Sequence, residues 1–384
     1  MPHLAALRAT GQDRLPKFCP PRRSGYSVGV TTAANARPSP PDDFERLVAE
    51  CWGEPNLRLS KLPGGLSARQ FFRAERAAGE PAIVMWLPDD APERVLARRL
   101  GRRLPFLEIR DLLENARVRV PRLFGALPER GLLLVEDLGE TLAERVARTP
   151  AERADLYRRA VTDLAAAQHA LGELPADSIV RTRCFDRELL TWEVEHFREW
   201  GVEALGVTLS DAEQATFERA TSYLVDTMLG LAQGFVHRDY QSRNLLALGD
   251  GSIAWIDFQD ALLGPRAYDL VALLRDSYQT FDEAFVAERL AEFAAARGLT
   301  ASDADALRFE LDIITVQRKL KDAGRFVFFE RTRGDASYLP FFVPSLELVQ
   351  GALTRLPERP ELSGLSAIIA RQIEIGRSRG MLRP

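Results

Sequence analysis

The first part of the chain alternates apolar and polar residues in short runs separated by glycine and proline. The run Leu57–Pro63 shows this alternation, and Arg69–Glu75 and Ala82–Leu87 repeat it. A period of two residues is typical of a β-strand with one buried face. Two further short strands are predicted near 120–124 and 132–136. These runs together predict a small antiparallel sheet.

After Gly139 the spacing of apolar residues lengthens to the three or four positions that are typical of helices. In the segment 152–171, Leu156, Leu164 and Leu171 share one side of such a helix. Further helices are predicted over 186–204, 211–231, 266–276, 281–297, 302–323 and 361–379. This half of the chain is therefore expected to be mainly helical.

The change of pattern predicts an α+β fold with two lobes. We expect a small antiparallel-sheet N-lobe over 41–136 and a larger, mainly helical C-lobe over 137–384. Residues 1–40 are rich in Arg, Pro, Ala and Ser and show no sustained apolar period. They are predicted to form a flexible N-terminal extension.

Composition limits the possible partners. A formal net charge of −4 gives no reason to expect nucleic acid, because nucleic-acid binding normally needs a basic face. The longest apolar runs are too short to cross a bilayer, so no membrane partner is expected. Three scattered cysteines suggest no disulfide framework and a reducing compartment, which favours the cytoplasm. No obligate protein partner is evident.

Two acidic elements carry the predicted chemistry. The run Phe235–Asn244 contains His-Arg-Asp followed five positions later by Asn, and Ile-Asp-Phe follows with Asp257 18 positions after Asp239. In the layout of protein-kinase-like phosphotransferases, the first Asp takes the proton of the attacking hydroxyl. The Asn and the second Asp hold Mg²⁺ at the nucleotide phosphates. We therefore predict Asp239 as catalytic base, Asn244 and Asp257 as metal ligands, and a protein-kinase-like two-lobe fold.

His237 precedes this base and could be mistaken for one. In this motif a histidine more often packs and bonds to the backbone, so His237 is predicted to be structural.

The N-lobe carries the predicted nucleotide contacts. Gly64, Gly65 and Ser67 lie in a turn between two strands, where a glycine backbone can approach phosphate oxygens. An ordinary hairpin is the competing interpretation of this turn. Glu136 and Leu138 lie where the lobes should join, and the backbone there would bond the adenine edge.

The third strand departs from the kinase pattern. Kinases carry a lysine there that contacts the phosphates, and Ala82–Leu87 contains none. Arg73 on the neighbouring strand is the predicted substitute, with Lys61 and Arg69 as alternatives, because arginine is a good bidentate phosphate partner. Glu108 or Glu114 could orient such a cation, and the sequence does not choose between them.

These motifs carry a family resemblance. Together, 237–244 and 256–260 resemble the aminoglycoside phosphotransferase superfamily of small-molecule kinases. The stretches 264–276, 317–326 and 64–73 are similar to the bacterial kinases that phosphorylate the anomeric (C1) hydroxyl of N-acetylmuramate and N-acetylglucosamine. The resemblance covers roughly residues 42–355.

The resemblance implies an ATP- and Mg²⁺-dependent sugar 1-kinase in peptidoglycan recycling, with a sugar acceptor as its small-molecule partner. It implies the same roles for Asp239, Asn244 and Asp257, and a structural role for Asp269 in bracing the motif loop. The sugar contacts that it implies are Gln241, Arg243, Asp260, Arg318 and Lys319.

Two other interpretations remain open. The acceptor could be an aminoglycoside or another small alcohol, in which case a polycationic aminoglycoside would need an acidic cleft. Asp276, Asp282 and Glu283 are candidates for lining it. The missing lysine also permits a pseudokinase that binds nucleotide without turnover.

Overall fold

The computed structural model describes residues 38–63, 68–77 and 79–382. The predicted extension over 1–40 therefore lies almost wholly outside the described residues. So do Gly64, Gly65 and Ser67 of the predicted phosphate turn.

A five-stranded antiparallel sheet forms in the first part of the chain, in the order β1-β2-β3-β5-β4. Its strands are β1 (Leu57–Lys61), β2 (Gln70–Arg76), β3 (Ala82–Trp86), β4 (Leu123–Leu127) and β5 (Leu132–Glu136). The prediction placed the fourth strand near 120–124, but Pro121 has no N–H for a ladder and the strand begins two residues later. The predicted meander is thus present, with β5 inserted between β3 and β4.

One face of this sheet packs against the first helix, α1 (Phe44–Trp52). Phe44 and Val48 of the helix are buried against Phe72, Val84 and other inward residues of the strands. Along β2 burial alternates with each residue, as a strand with one covered face requires. The residues of odd number on β2, such as Arg73, therefore lie on the opposite face.

Helices make up most of the rest of the chain. They are α2 (Pro92–Leu100), α3 (Pro105–Asn115), α4 (Leu142–Arg148), α5 (Arg153–Ala170), α6 (Arg187–His196), α7 (Asp211–Gly230), α8 (Tyr268–Leu274), α9 (Glu283–Ala296), α10 (Ala301–Arg333), α11 (Phe342–Arg355) and α12 (Leu365–Ser378). Two short two-stranded antiparallel sheets lie among them, β6 (Gln233–Val236) with β9 (Leu262–Pro265) and the hairpin of β7 (Leu245–Ala247) with β8 (Ile253–Trp255). The predicted α+β class, with a small antiparallel sheet and a larger helical part, is confirmed.

Helix α10 is ten residues longer than predicted at its C-terminal end. Gly324 made a helix end plausible in the sequence, because glycine weakens helices. In the structure a Cβ atom at this position would lie 2.8 Å from the backbone of His196 and Phe197. The glycine therefore permits close packing of α10 against the end of α6 and does not interrupt the helix.

Helices α2, α4 and α11 were not predicted. Helices α2 and α11 each have a proline in the first turn, Pro92 and Pro344, where a missing N–H costs nothing. A proline therefore permits a helix start at both places.

By packing, the chain forms two compact units. One contains Tyr157–Ser242 and the chain from Ala261 onward. The other contains the described residues up to Leu156 together with Arg243–Asp260. The second unit includes the β7–β8 hairpin because Ala247 and Trp255 donate backbone hydrogen bonds to Glu140 and Arg119.

None of the helices within 38–63, 68–77 and 79–382 is long and apolar enough to cross a membrane. Cys51 is a free thiol. Cys19 lies outside the described residues, so the expectation of no disulfide framework stays a prediction.

Candidate active site

The loop after β6 carries Asp239 and is braced by Asp269 at the start of α8. The backbone N–H groups of His237 and Arg238 donate to the two carboxylate oxygens of Asp269, at 2.7 and 3.0 Å. Arg238 is held at a φ of +82°, a conformation that costs a non-glycine residue energy and needs such support. Burial raises the pKa of Asp269 to about 7, although both N–H donors act against it. The brace fixes the backbone on which Asp239 stands.

His237 has no exposed surface, and its ring packs edge-on against Tyr240 at 5.7 Å. The hydroxyl of Tyr240 donates to the carbonyl of Ala160 at 2.8 Å. Both side chains therefore anchor the loop to its own unit.

A second aspartate holds the far end of the same loop. Asp276 accepts hydrogen bonds from the backbone N–H and the hydroxyl of Ser242. Sequence reasoning did not find this contact, since the two residues are 34 positions apart. Asp269 and Asp276 thus clamp the segment 237–242 from both ends.

Cations outnumber carboxylates around Asp239 in the described part of the chain, although Asp322 pairs with Lys319 and Lys321, and Glu193 lies 3.6 Å from Arg238. The Oδ1 atom of Asp239 is 3.4 Å from a guanidinium nitrogen of Arg318 on α10, and Arg318 also donates to the carbonyl of Arg238 at 2.8 Å. Burial acts to raise the pKa of Asp239, but Arg318, Lys321, Arg238 and Arg325 together lower it to about 2. The predicted base is therefore ionised throughout the physiological range.

The turn of α10 at 317–322 is charged and almost fully buried. Lys319 is 1% exposed, and its ammonium donates to Ser277 and to Asp322, both at 2.9 Å. Arg318 is 3% exposed, and its guanidinium lies 4.9 Å from the ring centre of Tyr268. Of these two predicted sugar contacts, Arg318 reaches Asp239, whereas the ammonium of Lys319 is bonded within the helical unit.

The other predicted sugar contacts are divided between the units. Gln241 lies in the same unit as Asp239, and its backbone N–H donates to the Asp239 carbonyl at 2.9 Å. Arg243 and Asp260 belong to the unit that contains the sheet. Their sugar-binding roles stay predictions.

Asn244 and Asp257 also belong to the sheet-containing unit and lie at adjacent ends of the β7–β8 hairpin. The backbone N–H of Ile256 donates to the Asn244 carbonyl at 3.0 Å, so Asp257 follows directly after the residue paired with Asn244. Asp257 has a φ of +60°. Such a strained aspartate in a tight turn is common at functional sites.

One of the two oxygens of the Asp257 carboxylate accepts hydrogen bonds. Its Oδ1 accepts from Gln259 at 2.8 Å and from Arg69 at 3.0 Å, and within the described part of the chain Oδ2 has no hydrogen-bond partner. The side chain is 39% exposed. A free carboxylate oxygen next to an asparagine on the same hairpin provides hard oxygen donors that suit Mg²⁺. These residues fit the metal that the motif implies.

Arg69, just before β2, contacts Asp257 and a second carboxylate. Its Nε atom is 3.1 Å from Glu93 of α2, a residue that the sequence did not single out. Arg69 is 8% exposed. Burial acts against its charged form, but Asp257, Glu93 and Asp260 outweigh it and raise the Arg69 pKa.

The other candidate cations have different surroundings. Arg73 lies on the face of β2 opposite to α1, pairs with Asp137 at 2.6 Å and is 41% exposed. Lys61 is an exposed residue at the end of β1.

The two glutamates proposed to orient the cation pair elsewhere. Glu108 pairs with Arg102 at 2.6 Å, and Glu114 with Arg110 at 2.7 Å.

The predicted adenine-binding segment follows β5. The Glu136 carboxylate pairs with Arg119 at 2.7 Å and with Arg122 at 3.0 Å. Burial acts to raise the Glu136 pKa, and these two arginines lower it overall. The Glu136 side chain is thus committed to the protein, and its backbone N–H donates to the Arg122 carbonyl at 2.9 Å. The nucleotide contacts of Glu136 and Leu138 stay predictions.

The chain belongs to the phosphotransferase enzyme family APH, which residues 58–308 match. The chain is 34% identical to an N-acetylmuramate/N-acetylglucosamine kinase of Pseudomonas putida over 83% of its own length and 90% of that protein. It is 33% identical to a protein of the same name from Pseudomonas aeruginosa, over 86% of the chain and 94% of that protein. The family membership predicted from the motifs is confirmed.

Solved structures show the same fold at much lower identity. The choline kinase LicA from Streptococcus pneumoniae superposes with a TM-score of 0.54 at 16% identity, covering 81% of this chain and 98% of that one. An aminoglycoside 2'-phosphotransferase-IIIa in complex with GDP gives a TM-score of 0.55 at 15% identity, covering 81% and 97%. At this identity the likeness establishes the fold alone.

Proposed function

We propose that this protein is an ATP- and Mg²⁺-dependent kinase that phosphorylates the anomeric hydroxyl of an N-acetylated amino sugar. N-acetylmuramate and N-acetylglucosamine are the proposed acceptors. Two relatives that are 33–34% identical over most of their length are named as kinases of these sugars. The proposed setting is cell-wall recycling in the cytoplasm, where the ATP donor is available.

The charge around Asp239 is the observation that carries this choice of acceptor. Arg238, Arg318, Lys321 and Arg325 all act on the Asp239 carboxylate. An aminoglycoside is a polycation and would be repelled by this cluster. A neutral N-acetyl sugar is tolerated there, and the carboxylate of N-acetylmuramate would be attracted.

The acidic residues that could have formed an aminoglycoside cleft are committed elsewhere. Asp276 holds Ser242, and Asp282 accepts from the N–H of Phe285 at the start of α9. Glu283 pairs with Arg275 at 2.7 Å and also with Arg308 and Arg355. Three arginines neutralise this carboxylate, which argues against the aminoglycoside alternative.

In the proposed reaction Asp239 orients the sugar hydroxyl. The hydroxyl oxygen forms a bond to the γ-phosphorus, the bond from that phosphorus to the β–γ bridging oxygen breaks, and ADP leaves. The hydroxyl proton passes to the Asp239 carboxylate. With a pKa of about 2, Asp239 is a weak base, so it acts mainly by accepting the hydroxyl hydrogen bond. This suits a loose phosphoryl-transfer transition state, in which positioning contributes most.

Asn244 and Asp257 would hold the magnesium ion. When bound, Mg²⁺ supplies positive charge for the phosphate oxygens. The hairpin that carries both ligands keeps them at fixed spacing, and Arg69 and Gln259 restrict the Asp257 carboxylate to one orientation.

The test is Mg²⁺-dependent ADP release with a panel of N-acetylmuramate, N-acetylglucosamine, glucose and kanamycin. We expect turnover with the N-acetyl sugars, none when C1 is blocked as the methyl glycoside, and turnover lowered about 10²- to 10⁴-fold with Asp239→Asn. Asp226→Asn is the matched control, because Asp226 is an exposed residue of the same unit that pairs with Arg187. It should behave as the wild type.

The other results would each overturn part of the proposal. Turnover with kanamycin alone would make the protein an antibiotic kinase. Nucleotide binding without turnover of any acceptor would favour the pseudokinase interpretation.

A further inference from the structure

Strand β3 supplies no cation for the nucleotide end of the site, because Ala82–Trp86 contains neither lysine nor arginine. Three cations from the neighbouring strands are candidates for this role, and they differ in burial and partners. Arg69 alone of the three is buried, and it contacts the predicted metal ligand directly. Burial matters because a screened surface charge contributes little, whereas a desolvated one interacts strongly.

Glu93, Arg69 and Asp257 form a chain of alternating charge with the buried Arg69 at its centre. The Arg69 guanidinium is 3.1 Å from Glu93 through Nε and 3.0 Å from Asp257 through Nη1. A planar guanidinium with donors on different edges can contact two carboxylates at once, which a lysine ammonium cannot do with the same fixed geometry. The contact to Oδ1 of Asp257 leaves Oδ2 available for a metal.

The charge balance of this group also suits a divalent cation. Asp257, Glu93 and Asp260 all act on Arg69, so one positive charge faces three negative ones. Arg69 thus prevents mutual repulsion of the carboxylates without cancelling the negative charge that attracts the metal.

We propose that Arg69 is the positioning residue for the metal-binding carboxylate Asp257, with Glu93 holding Arg69 in place. In this chain a cation before β2 and a glutamate of α2 form an ion pair beside Asp257, whereas β3 carries no lysine. The inference rests on the proposed function only in taking Asp257 as a magnesium ligand, and it is independent of the acceptor.

The experiment measures the Mg²⁺ concentration for half-maximal binding of a fluorescent ATP analogue, which needs no sugar. Arg69→Gln should raise that concentration about 10- to 100-fold, the usual cost of losing a residue that orients a metal ligand. Arg69→Lys, which keeps the charge but not the fork, should give a smaller increase. Glu93→Gln should change the same quantity in the same direction.

Arg94→Gln is the matched control for a purely structural effect. Arg94 is 6% exposed, follows Glu93 on α2 and donates to the Leu87 carbonyl at 3.1 Å. Its loss should lower Tm yet leave the Mg²⁺ dependence unchanged. If Arg69→Gln does not fold, Arg69→Lys provides the same comparison.

Two outcomes would overturn the inference. One is folded Arg69→Gln or Arg69→Lys protein with a wild-type Mg²⁺ dependence, and the other is an equal change with Arg94→Gln. Wild-type protein that binds the nucleotide without any Mg²⁺ dependence would also contradict it. Wild-type protein with normal Mg²⁺-dependent binding but no turnover of an N-acetyl sugar would instead refute the proposed acceptor and leave the Arg69 result valid.

Discussion

The two aspartates of the predicted site, Asp239 and Asp257, have opposite electrostatic surroundings. Four cations act on Asp239 in the helical unit. Around Asp257, in the sheet-containing unit, Arg69 is the cation in contact, and it is shared with Glu93 and influenced by Asp260. One carboxylate therefore lies in a positive environment and the other in a negative one.

In the proposed function, these surroundings prepare the two carboxylates for different roles. Excess positive charge keeps Asp239 ionised and ready to accept a hydrogen bond from a hydroxyl, and it disfavours a cationic acceptor. Excess negative charge around Asp257 attracts a divalent cation. The predictions below test whether this contrast is functional, starting with the largest expected effect.

Asp239→Asn should have the largest effect, because it removes the carboxylate that lies among cations. Loss of a positioned base lowers rates by about 10²- to 10⁴-fold, and we expect kcat for the N-acetyl sugar to fall within that range. Mg²⁺-dependent nucleotide binding should persist, because Asn244 and Asp257 are intact. Steady-state kinetics and a binding titration on the same preparation separate the two effects, and unchanged kcat would remove Asp239 from the mechanism.

Asp257→Asn tests the other carboxylate, the predicted metal ligand. It removes the charge of the predicted metal ligand, so the Mg²⁺ concentration for half-maximal rate should increase by about 100-fold or more. This equals or exceeds the largest usual effect of losing a residue that only orients a metal ligand. The readout is ADP release against Mg²⁺ concentration. A variant with normal Mg²⁺ dependence would place the metal elsewhere.

Arg318→Gln should change the pH dependence of the reaction through the pKa of Asp239. With a folded-state pKa of about 2, Asp239 adds no acid limb to the rate between pH 4 and 9. Removing Arg318, the foremost cation acting on Asp239, raises that pKa, so the acid limb of kcat/KM should move to higher pH. We expect a loss of about tenfold near neutral pH, or roughly 1.4 kcal/mol, since a hydrogen bond to a charged group contributes about that much.

The variant's stability must be measured beside its pH profile, because Arg318 is buried. An acid limb at the wild-type position in folded Arg318→Gln protein would contradict the electrostatic role.

Arg325→Gln should have the smallest effect, on acceptor choice. Arg325 is half-buried and lies on the same face of α10 as Arg318, two turns further along. If it attracts an anionic acceptor, its loss should lower the preference for N-acetylmuramate over N-acetylglucosamine by up to about fivefold, the upper worth of a partly screened ion pair. The ratio of the two kcat/KM values is the measurement, and an unchanged ratio would exclude Arg325 from selectivity.

The sequence alone determined the class of fold and the chemistry of the family. Strand and helix periods depend on neighbouring residues, so the sheet and most helices could be predicted from local pattern. A stretch of 19 residues contains Asp239, Asn244 and Asp257, so their spacing could be recognised directly. Membership of the phosphotransferase family followed from these short motifs.

The partners of these residues could be identified only from the tertiary structure. Arg69 and Asp257 are 188 positions apart, and Arg318 and Asp239 are 79 apart. Glu93 could not be singled out for the same reason, since its contact with Arg69 forms only where α2 packs near the start of β2. Local pattern tells which face of an element is buried, but an ion pair forms only where two elements pack together. The electrostatic contrast between the two aspartates is therefore a property of the fold.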